Sequence, residues 1–267
     1  MRAIARDLIE GVSTATIRVQ GTRVRYVSAG QGEPVVLVHG LAGSTHWWLR
    51  NLHVLARRYR VYALDLPGFG AMGWPALGWP AAGGRSRFVL GEAASWLRAW
   101  MRAVGLRHAH LVGHSMGGYI AMRLAAVHPE LVRRLALVAP AGVPMGRSLL
   151  GKAWPLALAA ARTAPTFLPL LAYDALRAGP LTLARAGYEL LAQDVREEAQ
   201  RIQAPTLLLW GRRDPLVPPA LGEALRQHIP NARLLYLERA GHVPMYERPR
   251  QFNTALLGFL DGAAVGA

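Results

Sequence analysis

Three observations predict an α/β fold, with a mostly parallel sheet covered by helices on both faces. Short, continuous apolar runs recur along the chain, as strands buried on both faces require. Helical patterns alternate with those runs, which implies right-handed crossovers. At 267 residues the chain is long enough for one large domain with a modest insertion.

The elements follow in order. Thr14–Gln20 and Arg23–Ser28 alternate in polarity around Gly21–Thr22 and read as a β-hairpin. The buried-strand runs are Val35–His39, Tyr59–Leu64, Ala109–Val112, Leu135–Ala139, Thr206–Trp210 and Arg233–Leu237. Between them lie the helical patterns His46–Arg57, Phe88–Val104, Met116–Val127, Pro219–His228 and Arg248–Leu260. Two stretches break this rhythm. Gly68–Arg87 repeats Gly-Trp-Pro-Ala at Gly73–Ala76 and Gly78–Ala81, which suits a surface loop. Ala141–Gln200 holds helical segments but no buried-strand run. The expected organisation is therefore a core of residues 1–140 and 201–267, with a helical cap at 141–200. Within that cap Leu149–Ala172 is apolar, but Lys152, Arg162 and three prolines interrupt it, so it suits a lid better than a transmembrane span.

Composition narrows the function. Hydrophobic residues make up 52% and charged residues 18%, values of a soluble globular protein. The absence of cysteine excludes disulfides, thiolate metal sites and a cysteine nucleophile, and fits a reducing compartment. Met1–Gly11 has no uninterrupted apolar run of the secretory kind, so a cytoplasmic location is expected. The net charge is +15, but the arginines are scattered and no nucleic-acid-binding motif accompanies them. Nucleic acid is not an expected partner; peripheral contact with an anionic membrane stays open. Oligomeric state is not encoded in any recognisable pattern.

The chemistry is carried by strand ends. Gly113-His114-Ser115-Met116-Gly117 matches G-x-S-x-G and sits between a strand run and a helical pattern. A serine on such a turn is exposed beside a helix N-terminus, where free N–H groups favour negative charge. A serine hydroxyl is a weak nucleophile without a base and an acid that orients the base. Asp214 follows the run Thr206–Trp210, and His242 follows Arg233–Leu237. Alone, Asp214 reads equally as the start of a turn before Pro215, and His242 as a loop histidine bonded to backbone. The order serine, aspartate, histidine across three strand ends favours the joint reading: Ser115 nucleophile, His242 base, Asp214 orienting acid. The oxyanion donors expected are the backbone N–H groups of Met116 and, by position after Val35–His39, Leu41. His39 reads as a structural turn residue, and His114 as packing or pocket wall.

With these pieces the chain resembles the α/β-hydrolase family over nearly its whole length. The matching segments are His39-Gly40, Asp65-Leu66-Pro67-Gly68-Phe69-Gly70, the Ser115 turn, Gly211-Arg212-Arg213-Asp214, and Gly241-His242 through Glu247-Arg248-Pro249. The resemblance implies an α/β-hydrolase fold, an acyl-enzyme mechanism, and neither cofactor nor metal. It implies structural roles for Asp65 and Trp48. Serine at position 115 departs from haloalkane dehalogenases and epoxide hydrolases, which use aspartate. His114 and Val243 depart from ring-cleavage carbon–carbon hydrolases, and Leu41-Ala42-Gly43 departs from proline iminopeptidases. A carboxylesterase or monoacylglycerol-lipase-like enzyme is the reading that remains, acting on a small-molecule ester of short-to-medium acyl length. Cofactor-free perhydrolases (haloperoxidase-like), a carbon–carbon hydrolase and a non-catalytic ligand receptor are the alternatives. Most of Trp154, Leu156, Leu158, Phe167, Leu168, Leu170, Leu171 and Tyr173 are expected to pack the cap onto the core, the remainder lining an acyl pocket; Trp74 and Trp79 are expected in an ordered surface turn, a gate or interfacial contact being the alternative.

Overall fold

A computed structural model describes residues 11–70, 88–144 and 163–263. Its strands are β1 (Val12–Val19), β2 (Thr22–Ala29), β3 (Pro34–Val38), β4 (Arg60–Leu64), β5 (Ala109–His114), β6 (Val132–Val138), β7 (Thr206–Gly211) and β8 (Ala232–Leu237). They form one sheet in the order β1-β2-β4-β3-β5-β6-β7-β8. The first two strands run antiparallel and every pair from β4 onward is parallel. The expected α/β-hydrolase fold is thus present.

The hairpin differs by one residue from the sequence reading. Val19 pairs with Thr22, so the two-residue turn is Gln20–Gly21 rather than Gly21–Thr22. Both turn residues have positive φ (48° and 80°), the backbone that matches the twist of a tight hairpin. Glutamine seldom marks such a position, which is why the pattern misplaced it.

Helices cover the sheet as its two-residue periodicity dictates. In chain order they are α1 (Leu49–Leu55), α2 (Ala93–Ala103), α3 (Met116–Val127), α4 (Leu168–Ala178), α5 (Pro180–Leu191), α6 (Arg196–Gln200), α7 (Ala220–His228), α8 (Pro244–Glu247) and α9 (Pro249–Leu260). Val36, Leu111, Leu135, Leu137 and Leu208 face α2, α3, α6 and α7, while Val35, Leu37, Val112, Ala136 and Leu207 face α1, α8 and α9. Each such valine or leucine side chain removed fully from water contributes about 1.5–3 kcal/mol before conformational entropy is set against it. The pattern His46–Arg57 is not one helix: a 3₁₀ turn at Thr45–Trp48 precedes α1, capped by Ser44 accepting from the N–H of His46.

Helices α4 to α6 lie between β6 and β7, inside the stretch expected to be inserted. Phe167 is buried against the rings of Trp47 and Tyr246 at 5.0 and 4.7 Å. Leu170 and Leu171 are half-buried, and Leu168 and Tyr173 are exposed at the insertion's surface. Polar contacts also hold this insertion: Arg177 donates to the Gly70 carbonyl (2.9 Å), and Glu189 accepts from the Leu90 N–H (2.9 Å). Trp74, Trp79, Trp154, Leu156 and Leu158 lie outside the described residues. Among the described residues no helix is long and apolar enough to cross a membrane.

Candidate active site

The site assembles at the C-terminal ends of β3, β5 and β7 and in the loop after β8. Ser115 sits between β5 and α3 with φ 51° and ψ −114°, a left-handed backbone that a non-glycine residue holds at a cost of order 1–3 kcal/mol. Neighbouring backbone fixes it there. The Ser115 N–H donates to the Val138 carbonyl (2.9 Å), and its own carbonyl accepts from Tyr119 (3.1 Å) and Ala141 (3.1 Å). The two motif glycines are required by close approach. A Cβ on Gly117 would lie 2.3 Å from the Val38 carbonyl oxygen, and one on Gly113 would lie 2.4 Å from that of Gly117. The residue is buried but for 8% of its surface.

Asp214 is held by the turn after β7. One carboxylate oxygen accepts the N–H groups of Leu216 (2.8 Å) and Val217 (2.9 Å), and the other meets His242 Nδ1 at 2.7 Å. A buried carboxylate can only accept here, so Nδ1 carries the proton of the neutral ring and Nε2 keeps its lone pair. The histidine side chain remains 10% exposed. The structure therefore brings Asp214 and His242 into direct contact. Ser115 shares no hydrogen bond with His242 among the described residues; the link between them is its neighbour, for the His114 ring lies 4.8 Å from the His242 ring and His114 Nε2 lies 2.8 Å from the His242 carbonyl.

Leu41 occupies the turn Gly40–Gly43, closed by Gly43 N–H donating to the Gly40 carbonyl (3.1 Å) with Ala42 at φ 60°. Met116 opens α3, so its N–H precedes the first intrahelical hydrogen bond. His39 is fully buried and structural. Its Nε2 accepts from Leu66 N–H (3.0 Å), so Nδ1 carries the proton donated to the Gly40 carbonyl (2.7 Å). Burial holds its pKa below the ordinary 6.5. Asp65 accepts from the N–H of Thr45 (2.8 Å), and Trp48 is buried against Phe252, the structural roles expected of both.

Two further carboxyl groups were not assigned roles from sequence. Glu247 accepts from the Gly241 N–H immediately before His242, and burial pushes its carboxyl up from the ordinary 4.5. Asp174 on α4 is fully buried, accepting from Ser44 Oγ (2.7 Å) and Trp47 Nε1 (3.0 Å). The available signal for Asp174 was a lone acid within the apolar run Leu168–Ala178. No metal-binding cluster of histidine and acids occurs among the described residues.

Comparison with known proteins agrees with this fold. The sequence matches the alpha/beta hydrolase family over residues 35–255. It is similar to the dihydrolipoyllysine-residue acetyltransferase component of the acetoin cleaving system of Pseudomonas putida, with 32% identity covering 95% of this chain and 71% of that protein. It is also similar to the pimeloyl-(acyl-carrier protein) methyl ester esterase of Aeromonas hydrophila, with 33% identity covering 84% of this chain and 93% of the esterase. Among solved structures, a membrane phospholipase A described as a bacterial virulence factor superposes with a TM-score of 0.81 at 32% identity, covering 94% of this chain and 86% of that one.

Proposed function

The chain belongs to the alpha/beta hydrolase family and is a hydrolase; on that premise we propose that it cleaves carboxylic esters through a Ser115 acyl-enzyme. The observation that carries this reading is a serine held at φ 51° on the strand-to-helix turn, together with a histidine whose Nδ1 is bonded to a buried aspartate and whose carbonyl meets the residue before that serine. In the first step Ser115 Oγ attacks the ester carbonyl carbon while His242 Nε2 takes the hydroxyl proton. Asp214 holds the imidazole in the needed tautomer and stabilises its charged form. The oxyanion accepts hydrogen bonds from the N–H groups of Leu41 and Met116; losing one such donor typically costs about 10²–10³ in rate. His242 then protonates the leaving alcohol, and a water deprotonated by the same ring attacks the acyl group and releases the acid.

Support for an ester substrate comes from the Aeromonas relative, which by its name acts on a methyl ester. The insertion α4–α6 serves as the cap in this reading, with Phe167, Leu170 and Leu171 supplying apolar surface suited to short-to-medium acyl chains. The cysteine-free sequence fits a cytoplasmic setting. The test is Ser115→Ala. The variant is expected to fold, to lose turnover of p-nitrophenyl esters, and to lose covalent labelling by a fluorophosphonate probe. Labelling that persists undiminished assigns the nucleophile elsewhere.

A further inference from the structure

His114 does more than fill space. It is wholly buried, and it touches the ends of three different strands. It ends β5 directly before Ser115. Its Nε2 reaches the His242 carbonyl at 2.8 Å, and because that carbonyl can only accept, the ring's proton sits on Nε2. On its other side the ring lies against the turn that carries Leu41: a Cβ on Gly40 would come within 2.8 Å of His114 Nδ1 and 3.1 Å of the Ser115 Cβ. Trp47, which follows that turn, places its ring 5.6 Å from the imidazole. Among the described residues His114 Nδ1 has no hydrogen-bond partner, so there the Nε2 donor is the ring's one hydrogen bond. Burial, reinforced by the neighbouring His242, holds its pKa well below the ordinary 6.5, and it stays neutral through the physiological range.

We propose that His114 is a positioning residue, whose Nε2–H clamps the His242 carbonyl and thereby sets the base against the nucleophile on the next residue. The inference rests on the Ser115–His242 reading above. His242 is also fixed at its ring by Asp214, and Glu247 accepts from the N–H groups on either side of the histidine, those of Gly241 and Val243. His114 supplies the donor to the His242 carbonyl, and a partly buried carbonyl stripped of its donor moves to find another. Any side chain of suitable volume satisfies a packing role. The clamp requires an N–H at the reach of His Nε2, four bonds from Cα.

Glutamine and methionine make that distinction, because they are nearly equal in size and only H114Q carries an N–H at that reach. The measurements are kcat and KM for p-nitrophenyl butyrate, and the downfield proton resonance of the Asp214-bound Nδ1–H of His242. The expected result is that H114M lowers kcat about tenfold with KM changed by less than about twofold, and broadens or displaces the resonance. H114Q is expected to retain the resonance and most of kcat. Equal behaviour of the two variants, or a native resonance in H114M, overturns the proposal. The resonance needs no substrate, so it tests the clamp even if the wild type turns over no ester, a result that would count against the proposed function alone.

Discussion

Replacing Asp214 by asparagine should abolish most of the activity without unfolding the protein, and the geometry says why. One carboxylate oxygen accepts two backbone N–H groups, from Leu216 and Val217, and the other faces the protonated Nδ1 of His242. An asparagine placed with its NH₂ toward Leu216 and Val217 would set donors against donors in a buried site. Its oxygen must therefore take the backbone position, and its NH₂ then points at His242 Nδ1. That arrangement forces Nδ1 to become the acceptor and moves the ring proton to Nε2, where the base is needed. A serine hydrolase with the wrong tautomer loses about 10⁴ in kcat, equivalent to about 5.5 kcal/mol of transition-state stabilisation. The two backbone bonds survive, so the melting temperature should move little. The assay is kcat/KM on a p-nitrophenyl ester beside a thermal melt of the same preparation. Activity in D214N within tenfold of wild type refutes the assigned tautomer and with it the role of Asp214.

The remaining predictions concern stability. His39, His110 and His114 all have pKa values held below 6.5, burial being the leading cause in each. Between those lowered values and 6.5 the unfolded chain binds more protons than the native one, so stability falls as pH drops below about 6.5, by up to about 1.4 kcal/mol per pH unit for each histidine. Glu247 works in the opposite sense: its raised pKa makes the native state the better proton acceptor, adding stability as pH falls through that raised value toward 4.5. Urea unfolding between pH 7.5 and 5 checks the balance, and a flat profile contradicts it. Asp174→Ala leaves the Ser44 hydroxyl and the Trp47 indole N–H without their buried acceptor and should cost about 1–3 kcal/mol. Asp174→Asn, which keeps an accepting oxygen, should cost less in the same urea titration; equal losses for the two variants contradict the assignment.

Much of the fold was legible because burial on both faces leaves a trace in one dimension. Val35–Val38 is a run of fully buried apolar residues, and β3 lies where that run is. The turn at Ser115 was legible for a different reason: the contacts of Gly113 and Gly117 with backbone oxygens admit no side chain, so the motif is a steric requirement written as sequence. Where a boundary depended on a single hydrogen bond, as at the Ser44 cap that splits Thr45–Trp48 from α1, periodicity ran through it unseen.

The sequence by itself determined the alternation of strands and helices, the tight turn at Ser115, and the order in which Asp214 and His242 follow it. Tertiary structure alone decided that Asp174 meets Ser44 across 130 residues and that His114 meets the His242 carbonyl across 128. Local patterns record what each residue needs from its neighbours in the chain. A hydrogen bond between distant loops leaves no such record, because any donor brought to that point by the sheet would serve.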